Sequence, residues 1–206
     1  MMSKKILICF LYIQSLLLAT QAFAVEEIVG IEKYQIDKTH TNIMWYIGHM
    51  GFSRTIGNFK EFEGTVDINF DEPDKSKIYI TIDTKSISSG VDDLDQQLKS
   101  ELFFYVDKYP KAIFESTDIK LIEKDTAEVK GNLTMLGKTK EVMLNVRFNK
   151  RGMDPILNKI RTGYSIKASI KRSKWGMDKM LAFIADDINI VIEAEAIKIT
   201  PPKTTE

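Results

Sequence analysis

Alternation of apolar and polar residues with a period of two runs through most of the chain and constrains its fold more than any other feature. Successive side chains of a β-strand point to opposite faces, so strict alternation predicts strands with one apolar face. The alternating stretches cover residues 43–49, 62–70, 78–82, 127–135, 142–148, 164–170 and 188–194. Strands of this kind bury their apolar faces against one another, and the sequence therefore predicts an all-β protein of about eight strands.

One-faced strands in this number suit either a closed antiparallel barrel or a sandwich, and the glycines favour the barrel. Gly57 is interpreted as a turn between strands. Gly64 and Gly131 fall at inward positions midway along strands, where a missing side chain eases bending or leaves interior space. The interior of an eight-stranded barrel is filled by side chains or holds one small ligand, and the pattern leaves both alternatives open.

One segment has helical spacing instead. Leu94, Leu98 and Leu102 recur every four residues after the acidic start of VDDLDQQLKSELFF. This spacing places them on one face of a helix, and acidic residues favour a helix N-terminus. We expect one short helix packed at or near the barrel end. The stretch GMDPILNK, residues 152–159, is interpreted as a loop with about one helical turn.

The N-terminus has the features of an export signal. Lys4 and Lys5 precede an apolar run of about 14 residues, and Ala22-Phe23-Ala24 supplies the small-x-small pattern of a cleavage site. The run is shorter than the roughly 20 residues of a membrane span. We therefore expect residues 1–24 to be removed and Val25 to be the mature N-terminus. Residues 25–33 then form a lead-in, residues 34–199 the barrel and residues 200–206 a polar tail.

Composition excludes several classes of function. The only cysteine, Cys9, lies inside the predicted signal, so the mature protein has no thiol for catalysis, disulfides or metal binding. The 29 basic and 29 acidic residues are interspersed, without the basic block that nucleic acid requires. His40 and His49 are the only histidines and do not form a metal-ligand pattern. With no nucleophile and base pair in view, we expect neither an enzyme, nor a metal site, nor a cofactor.

Five motifs in order resemble the YceI family of bacterial periplasmic proteins. They are YQIDKTHTNIMWYIGHMGFS, GNFKEFEGTVDINFD, DDLDQQLKSELFFYVDKYPKAIFEST, VKGNLTMLGKTKEVMLNV and IKRSKWGM, and the resemblance extends from Tyr34 to about Ile197. It implies a periplasmic, lipocalin-like barrel of eight antiparallel strands that encloses a long amphiphile, typically a polyisoprenoid or an isoprenoid quinone. The chain departs from the family in its helix, where Gln97 stands in place of a frequent histidine.

The resulting hypothesis is a periplasmic binding protein that holds an isoprenoid or another long-chain amphiphile for transport, storage or protection. Two alternatives are a periplasmic lipid-modifying enzyme, with His49 or an acidic residue acting as acid or base, and a stress-response protein with a filled core. The expected partner is a polyisoprenoid lipid or quinone, and nucleic acid is not expected. A homodimer and transient contact with the membrane or with membrane redox proteins are left open.

The candidate ligand-binding residues are mainly large apolar side chains at inward strand positions or near the helix. They are Trp45, His49, Phe62, Val66, Phe103, Phe104, Phe114, Gly131, Met135, Arg172 and Trp175. Phe103 and Phe104 are adjacent, so in an extended segment only one of them points inward. His49 is interpreted first as closing the barrel end through a hydrogen bond to a neighbouring strand or loop, and second as a contact to a polar head group. Arg172 is either a cation that holds a phosphate head or a solvated surface charge.

Overall fold

A computed structural model describes residues 30–200 of the chain. The predicted signal peptide, its cleavage before Val25 and the polar tail beyond residue 200 lie outside the described residues. Within them the chain forms eleven strands and one α-helix. In chain order these elements are β1 (Ile31–Ile36), β2 (Asn42–His49), β3 (Ser53–Phe59), β4 (Phe62–Asn69), β5 (Lys77–Asp83), β6 (Ile87–Ser88), α1 (Asp92–Lys99), β7 (Lys111–Glu123), β8 (Thr126–Met135), β9 (Lys138–Asp154), β10 (Lys159–Lys171) and β11 (Ile184–Lys198).

The strands form one antiparallel sheet that closes on itself. Its order is β1-β4-β5-β7-β8-β9-β10-β11, and β1 pairs back onto β11. β2 pairs with the part of β11 that precedes its pairing with β1, so β2 continues the position of β1 in the barrel. In the same way, β3 pairs with β2 and continues β4, and β6 pairs with β3 and continues β5. The closed sheet is therefore an eight-stranded antiparallel barrel, which confirms the predicted fold class.

The predicted alternation decides which face of each strand lies inside. In β2, Ile43, Trp45 and Ile47 are buried. In β10, Ala168 and Ile170 are buried, while the intervening Ser169 is exposed. Burial of each large apolar side chain contributes about 1.5–3 kcal/mol, so a one-residue slip of any such strand would be strongly destabilising.

The two ends of the barrel are built differently. The helix end contains the turn at residues 50–52, the segment 89–110 that includes α1, the turn at 136–137 and the segment 172–183. The hairpin end contains the loops at residues 70–76, 124–125 and 155–158. α1 therefore lies near one barrel end, as predicted. No helix in residues 30–200 is long and apolar enough to cross a membrane.

Several local predictions differ from the structure. Leu94 and Leu98 lie in α1, but Leu102 follows the end of the helix and is exposed. The stretch at residues 152–159 contains the end of β9 and the turn to β10 rather than helix. β1 begins at Ile31, so the barrel includes the last residues of the predicted lead-in.

The inward glycines do not leave open space. Gly57 is not a turn residue but lies within β3 opposite Trp45, and a Cβ at this position would overlap the Trp45 ring. A Cβ at Gly64 would overlap the Ile80 side chain, and one at Gly131 would overlap the Phe114 ring. Gly64 and Gly131 lie within strands, as the alternation predicts, but neighbouring side chains occupy the room that the missing Cβ atoms leave.

Candidate functional site

The barrel encloses a cavity with a volume of about 680 Å³. This volume lies within the range of about 300–1,000 Å³ that is typical of ligand pockets. Its wall consists mostly of inward aliphatic and aromatic side chains from the barrel strands, among them Ile80, Leu144 and Ile190. Most of its polar groups lie at the two ends, with His49, Gln97 and Arg172 at the helix end and Asn69, Ser76, Lys124 and Asp125 at the hairpin end. Such a cavity favours an apolar ligand whose polar groups reach one end.

Most of the residues proposed from the sequence lie in the cavity wall. They are Trp45, His49, Phe62, Val66, Phe103, Phe104, Phe114, Met135 and Arg172. Their contact with a ligand stays a prediction. The proposed set omitted many aliphatic lining residues, although the same alternation places Ile78, Ile188 and Ile192 on the inner face.

Gly131 and Trp175 are not among the lining residues. The Phe114 ring covers Gly131 on its inner side. Trp175 is almost completely buried, and its Nε1–H donates a 3.1 Å hydrogen bond to the carbonyl oxygen of Leu133. Their positions therefore support a role in packing the wall behind the cavity rather than direct contact with a ligand.

Phe103 and Phe104 both reach the interior because their segment is a turn and not an extended strand. The N–H of Phe103 donates to the carbonyl of Ser100, and the N–H of Phe104 donates to that of Leu98. The Phe104 ring packs edge-on against Phe59 of β3, with centroids 5.6 Å apart. The turn thus closes the part of the wall between β6 and β7 with two aromatic rings.

Trp45 carries a polar N–H group in the middle of the otherwise mostly apolar wall. Its ring lies against the cavity and above Gly57. Its Nε1–H is buried and has no hydrogen-bond partner among residues 30–200. An unpaired buried donor costs about 1–3 kcal/mol, so this N–H is a place where a small rearrangement that brings an acceptor close would be favourable.

His49 ends β2 and faces the cavity at the helix end. Its carbonyl oxygen accepts a hydrogen bond from the N–H of Phe52 across the turn. Its imidazole makes no hydrogen bond to any other described residue, so the hydrogen bond expected to close the barrel end is absent from residues 30–200. In the described part of the chain both ring nitrogens are therefore without a partner and can meet a polar group at the opening.

Arg172 is buried and not a solvated surface charge. Its Nε donates to the carbonyl of Ala185 at 2.9 Å, and Nη1 donates to those of Met177 and Lys179 at 2.6 and 2.8 Å. Nη2 donates to the carbonyl of Ile184 at 2.9 Å. Burial lowers the pKa of the guanidinium, although the charges of Asp186 and Asp178 act in the opposite direction. The guanidinium therefore fastens the segment before β11 to the barrel wall.

Tyr164 lines the hairpin-end half of the cavity, where its ring centroid lies 5.7 Å from that of Phe148. Burial raises the pKa of Tyr164 to about 12, so the hydroxyl stays protonated at physiological pH. The sequence placed Tyr164 on an inner face, but its strand position alone gives no sign of a ligand contact.

A charged cluster on the outside of the barrel has the composition of a metal site. Ligand atoms of Asp37, His40 and Glu195 lie within 4.8 Å of one another. Nη1 of Arg161 already lies 2.5 Å from a carboxylate oxygen of Asp37 and of Glu195, and its Nη2 lies 2.7 Å from Asp154. The Arg161 guanidinium thus occupies the place that a metal ion would take. The cluster links β10 and β11 to the residue that follows β1.

The pKa of the Asp37 carboxyl reflects the hydrogen bonds and charges of this cluster. Burial raises its pKa, but hydrogen bonds from His40, from the N–H of Thr39 and from Arg161 outweigh that effect and lower the pKa to about 2. A second cluster joins Arg151 and Lys198 to Glu32, at 2.9 and 2.5 Å. Both clusters lie at the β1–β11 closure and away from the cavity wall, so we assign them to barrel stability.

A closed eight-stranded antiparallel barrel around one apolar cavity, with a short helix at one end, defines a lipocalin-like barrel. A model of the YceI-like domain matches residues 34–196, and the chain belongs to this family.

Individual relatives agree with this assignment. A UPF0312 protein of Azotobacter vinelandii is 32% identical over 199 residues, which cover 96% of this chain and 100% of that protein. The crystal structure of Burkholderia cenocepacia BcnA covers 78% of this chain and 98% of its own, with a TM-score of 0.70 and 24% identity. A polyisoprenoid binding domain from Saccharophagus degradans covers 81% of this chain and 98% of its own, with a TM-score of 0.59 and 14% identity. At these identities the two structures show a shared fold.

Proposed function

We propose that this protein is a periplasmic binding protein that holds one long apolar amphiphile, a polyisoprenoid or an isoprenoid quinone, inside the barrel. The observation that carries the proposal is the apolar cavity of about 680 Å³. Its presence disfavours the alternative of a barrel whose core is filled. Transport, storage and protection all require the same property, which is removal of an apolar chain from water.

The dimensions of the barrel favour a long ligand over a compact one. β7 contains 13 residues. A strand of that length extends about 43 Å, and with the usual tilt of about 40° it rises roughly 30 Å along the barrel axis. Lining residues reach from the helix end to the hairpin end. An extended chain can therefore follow the barrel axis and contact the wall over most of that length.

Burial of the chain supplies the binding energy. Removing apolar surface from water contributes about 25 cal/mol per Å², so a long tail binds tightly with few polar contacts. The branched aliphatic side chains of the wall match the branched, flexible chain of an isoprenoid. The polar groups at each end then favour ligands whose head group reaches an opening.

Three further observations support this proposal. The name of the Saccharophagus degradans domain states that it binds a polyisoprenoid, and its fold is shared with this chain. The N-terminal sequence has the pattern of an export signal, which is consistent with a periplasmic location. The charged set at Asp37, His40 and Glu195 lies away from the cavity and is held by Arg161, which favours binding over catalysis on the ligand.

The direct test is native mass spectrometry of protein purified from the periplasmic fraction, followed by organic extraction. We expect a bound isoprenoid that is released on unfolding. We also expect the mass of the polypeptide to be that of a chain that begins at Val25. Turnover of added lipid would favour the enzyme instead. A ligand-free protein that also fails to take up a labelled isoprenoid would contradict the proposal.

A pair of variants on one strand locates the ligand. Ala168 lines the cavity, whereas its neighbour Ser169 points outward. A cavity of about 150 Å³ holds one benzene ring, so Ala168→Phe would take up about a fifth of the 680 Å³. We expect Ala168→Phe to reduce isoprenoid uptake and the control Ser169→Phe to leave it unchanged. Equal uptake by both folded variants would place the ligand outside the barrel.

A further inference from the structure

Exposed apolar side chains surround part of the opening at the helix end. They belong to two loops, the turn at residues 50–52 and the segment 180–183, and we call them the apolar shelf: Met50, Phe52, Met180, Leu181 and Phe183. Phe52 is 88% exposed. A group of large apolar side chains in contact with water is unfavourable by itself and marks an interaction surface.

The two loops of the apolar shelf form one connected structure. The N–H of Met50 donates to the carbonyl of Phe183 at 2.7 Å, which joins the loops. The N–H groups of Phe183 and Ile184 both donate to the carbonyl of Met180, at 2.9 and 2.8 Å. The Arg172 guanidinium donates hydrogen bonds to the carbonyls of Lys179 and Ile184, which lie directly before and after segment 180–183. The exposed side chains are therefore presented by backbone that is fixed to the barrel.

The apolar shelf continues into the cavity. Met180 is exposed to solvent and also lines the cavity. His49 and Ile184, which adjoin Met50 and Phe183 in sequence, line the cavity as well. An apolar chain can thus pass from the outer surface to the interior while it stays in contact with apolar side chains.

The hairpin end has a different surface. The loops that contribute to the cavity there, residues 70–76 and 124–125, carry Asp71, Glu72, Asp74 and Asp125 against Lys75 and Lys124. Ile156 is 90% exposed at this end, but neither it nor the adjacent Leu157 lines the cavity. Near the apolar shelf, Arg54, Lys171, Lys174 and Lys179 are exposed cations, and Asp178 and Asp187 are exposed acids. The apolar shelf therefore joins a group of exposed apolar side chains to the cavity beside exposed cations, whereas at the hairpin end Leu121 is the exposed apolar residue, among those described, that also lines the cavity.

We propose that the apolar shelf docks onto a phospholipid bilayer, and that the amphiphile enters and leaves the cavity at this contact. The proposal rests on the proposed function, since it explains how a water-insoluble ligand reaches the barrel. Aromatic and aliphatic side chains insert at the boundary between head groups and acyl chains, and basic side chains nearby are attracted to anionic lipids. The acidic hairpin end then faces the aqueous phase.

Flotation with vesicles tests the docking surface directly. The probes are phosphatidylcholine vesicles with and without phosphatidylglycerol, and the proteins are the wild type, Phe52→Asp/Phe183→Asp and the control Ile156→Asp. Phe52, Phe183 and Ile156 are all exposed, so none of the changes removes a buried side chain. We expect the wild type and the control to float with both vesicles, more strongly with the anionic ones. The double variant should bind at least about tenfold more weakly.

A second measurement separates this proposal from the proposed function. Labelled isoprenoid is delivered from detergent solution, without a bilayer, and its uptake by the wild type and the double variant is compared. Equal uptake, together with loss of flotation and of transfer from vesicles, supports docking at the apolar shelf. Uptake by a wild type that does not float would overturn docking and leave the binding function intact. Flotation without uptake would leave docking intact and contradict the binding function.

The oligomeric state provides the remaining control. A second copy of this chain is the other occupant that would cover an apolar surface. Light scattering without vesicles should give the same molar mass for the wild type and the double variant. If the double substitution converts a dimer to a monomer and does not change vesicle binding, the apolar shelf is an interface between copies and the proposal is wrong.

Discussion

Substitution of Arg172 by Met should lower stability more than it lowers ligand binding. The side chain is 1% exposed, and its guanidinium donates to four backbone carbonyls of the segment before β11 and of its first residues. Methionine has a similar length and fits an apolar wall, but it donates no hydrogen bond. The substitution therefore removes the fastening of this segment and leaves the shape of the wall nearly intact.

The size of the effect follows from those four hydrogen bonds. Bonds to a charged donor are worth about 1.5–3 kcal/mol each, which gives roughly 6–12 kcal/mol in total. Two effects reduce this sum: the carbonyls of Lys179 and Ala185 belong to exposed residues and regain water, and loss of a buried cation recovers several kcal/mol of desolvation. We expect a net loss of about 3–5 kcal/mol. For a domain of this size that corresponds to a decrease in melting temperature of roughly 10 °C.

Thermal melts and isoprenoid titrations of the same preparations give the result. Lys174→Met is the matched control, because Lys174 is an exposed cation in the same turn. It should melt within about 2 °C of the wild type. If Arg172→Met has the same melting temperature as the control but no longer binds a polyprenyl phosphate, Arg172 is a head-group ligand and the structural role assigned to it is wrong.

Three other substitutions test separate parts of the molecule. Gly131→Ala should destabilise the barrel by about 1–3 kcal/mol in chemical denaturation, because the new Cβ would overlap the Phe114 ring. Asp37→Asn should cost about 2 kcal/mol near neutral pH, since the folded-state pKa of about 2 lies below the ordinary value of 3.8. That contribution is fully present above pH 3.8 and is lost as pH falls towards 2, so the melting temperatures of variant and wild type should converge across this interval. His49→Gln should leave the melting temperature nearly unchanged, because the imidazole has no hydrogen-bond partner among the described residues, but weaken binding of a polyprenyl phosphate in a titration.

Each of these predictions has its own control. Gly163→Ala adds a Cβ that meets only Asn149, at 3.9 Å, and equal destabilisation by both glycine substitutions would refute the argument from Phe114. A constant difference between Asp37→Asn and the wild type down to pH 2 would show that the carboxyl is not the titrating group. For His49→Gln, an isoprenoid hydrocarbon without a head group is the reference ligand, and equal weakening for both ligands would exclude a head-group contact.

The sequence determined the strands and their inner faces. In a strand every second side chain shares a face, so the alternation at Ile43, Trp45 and Ile47 fixes what is buried without knowledge of the neighbouring strands. The same alternation predicts inward positions for Phe62, Val66 and Met135, and these residues lie in the cavity wall. Local patterns also identified α1, because its leucine spacing and acidic first turn are features of the segment itself.

Only the tertiary structure decided what fills the interior and which polar groups reach it. Phe114 lies over Gly131 because two strands pair in one register, and Phe103 and Phe104 both point inward because the segment turns after α1. Arg172 and Lys174 look alike in sequence, yet one donates to four carbonyls inside the wall and the other is exposed. Whether a barrel keeps a cavity depends on the summed volumes of side chains from all its strands. Periodicity within one strand carries no information about that sum, because the side chains that meet across the interior are far apart in sequence.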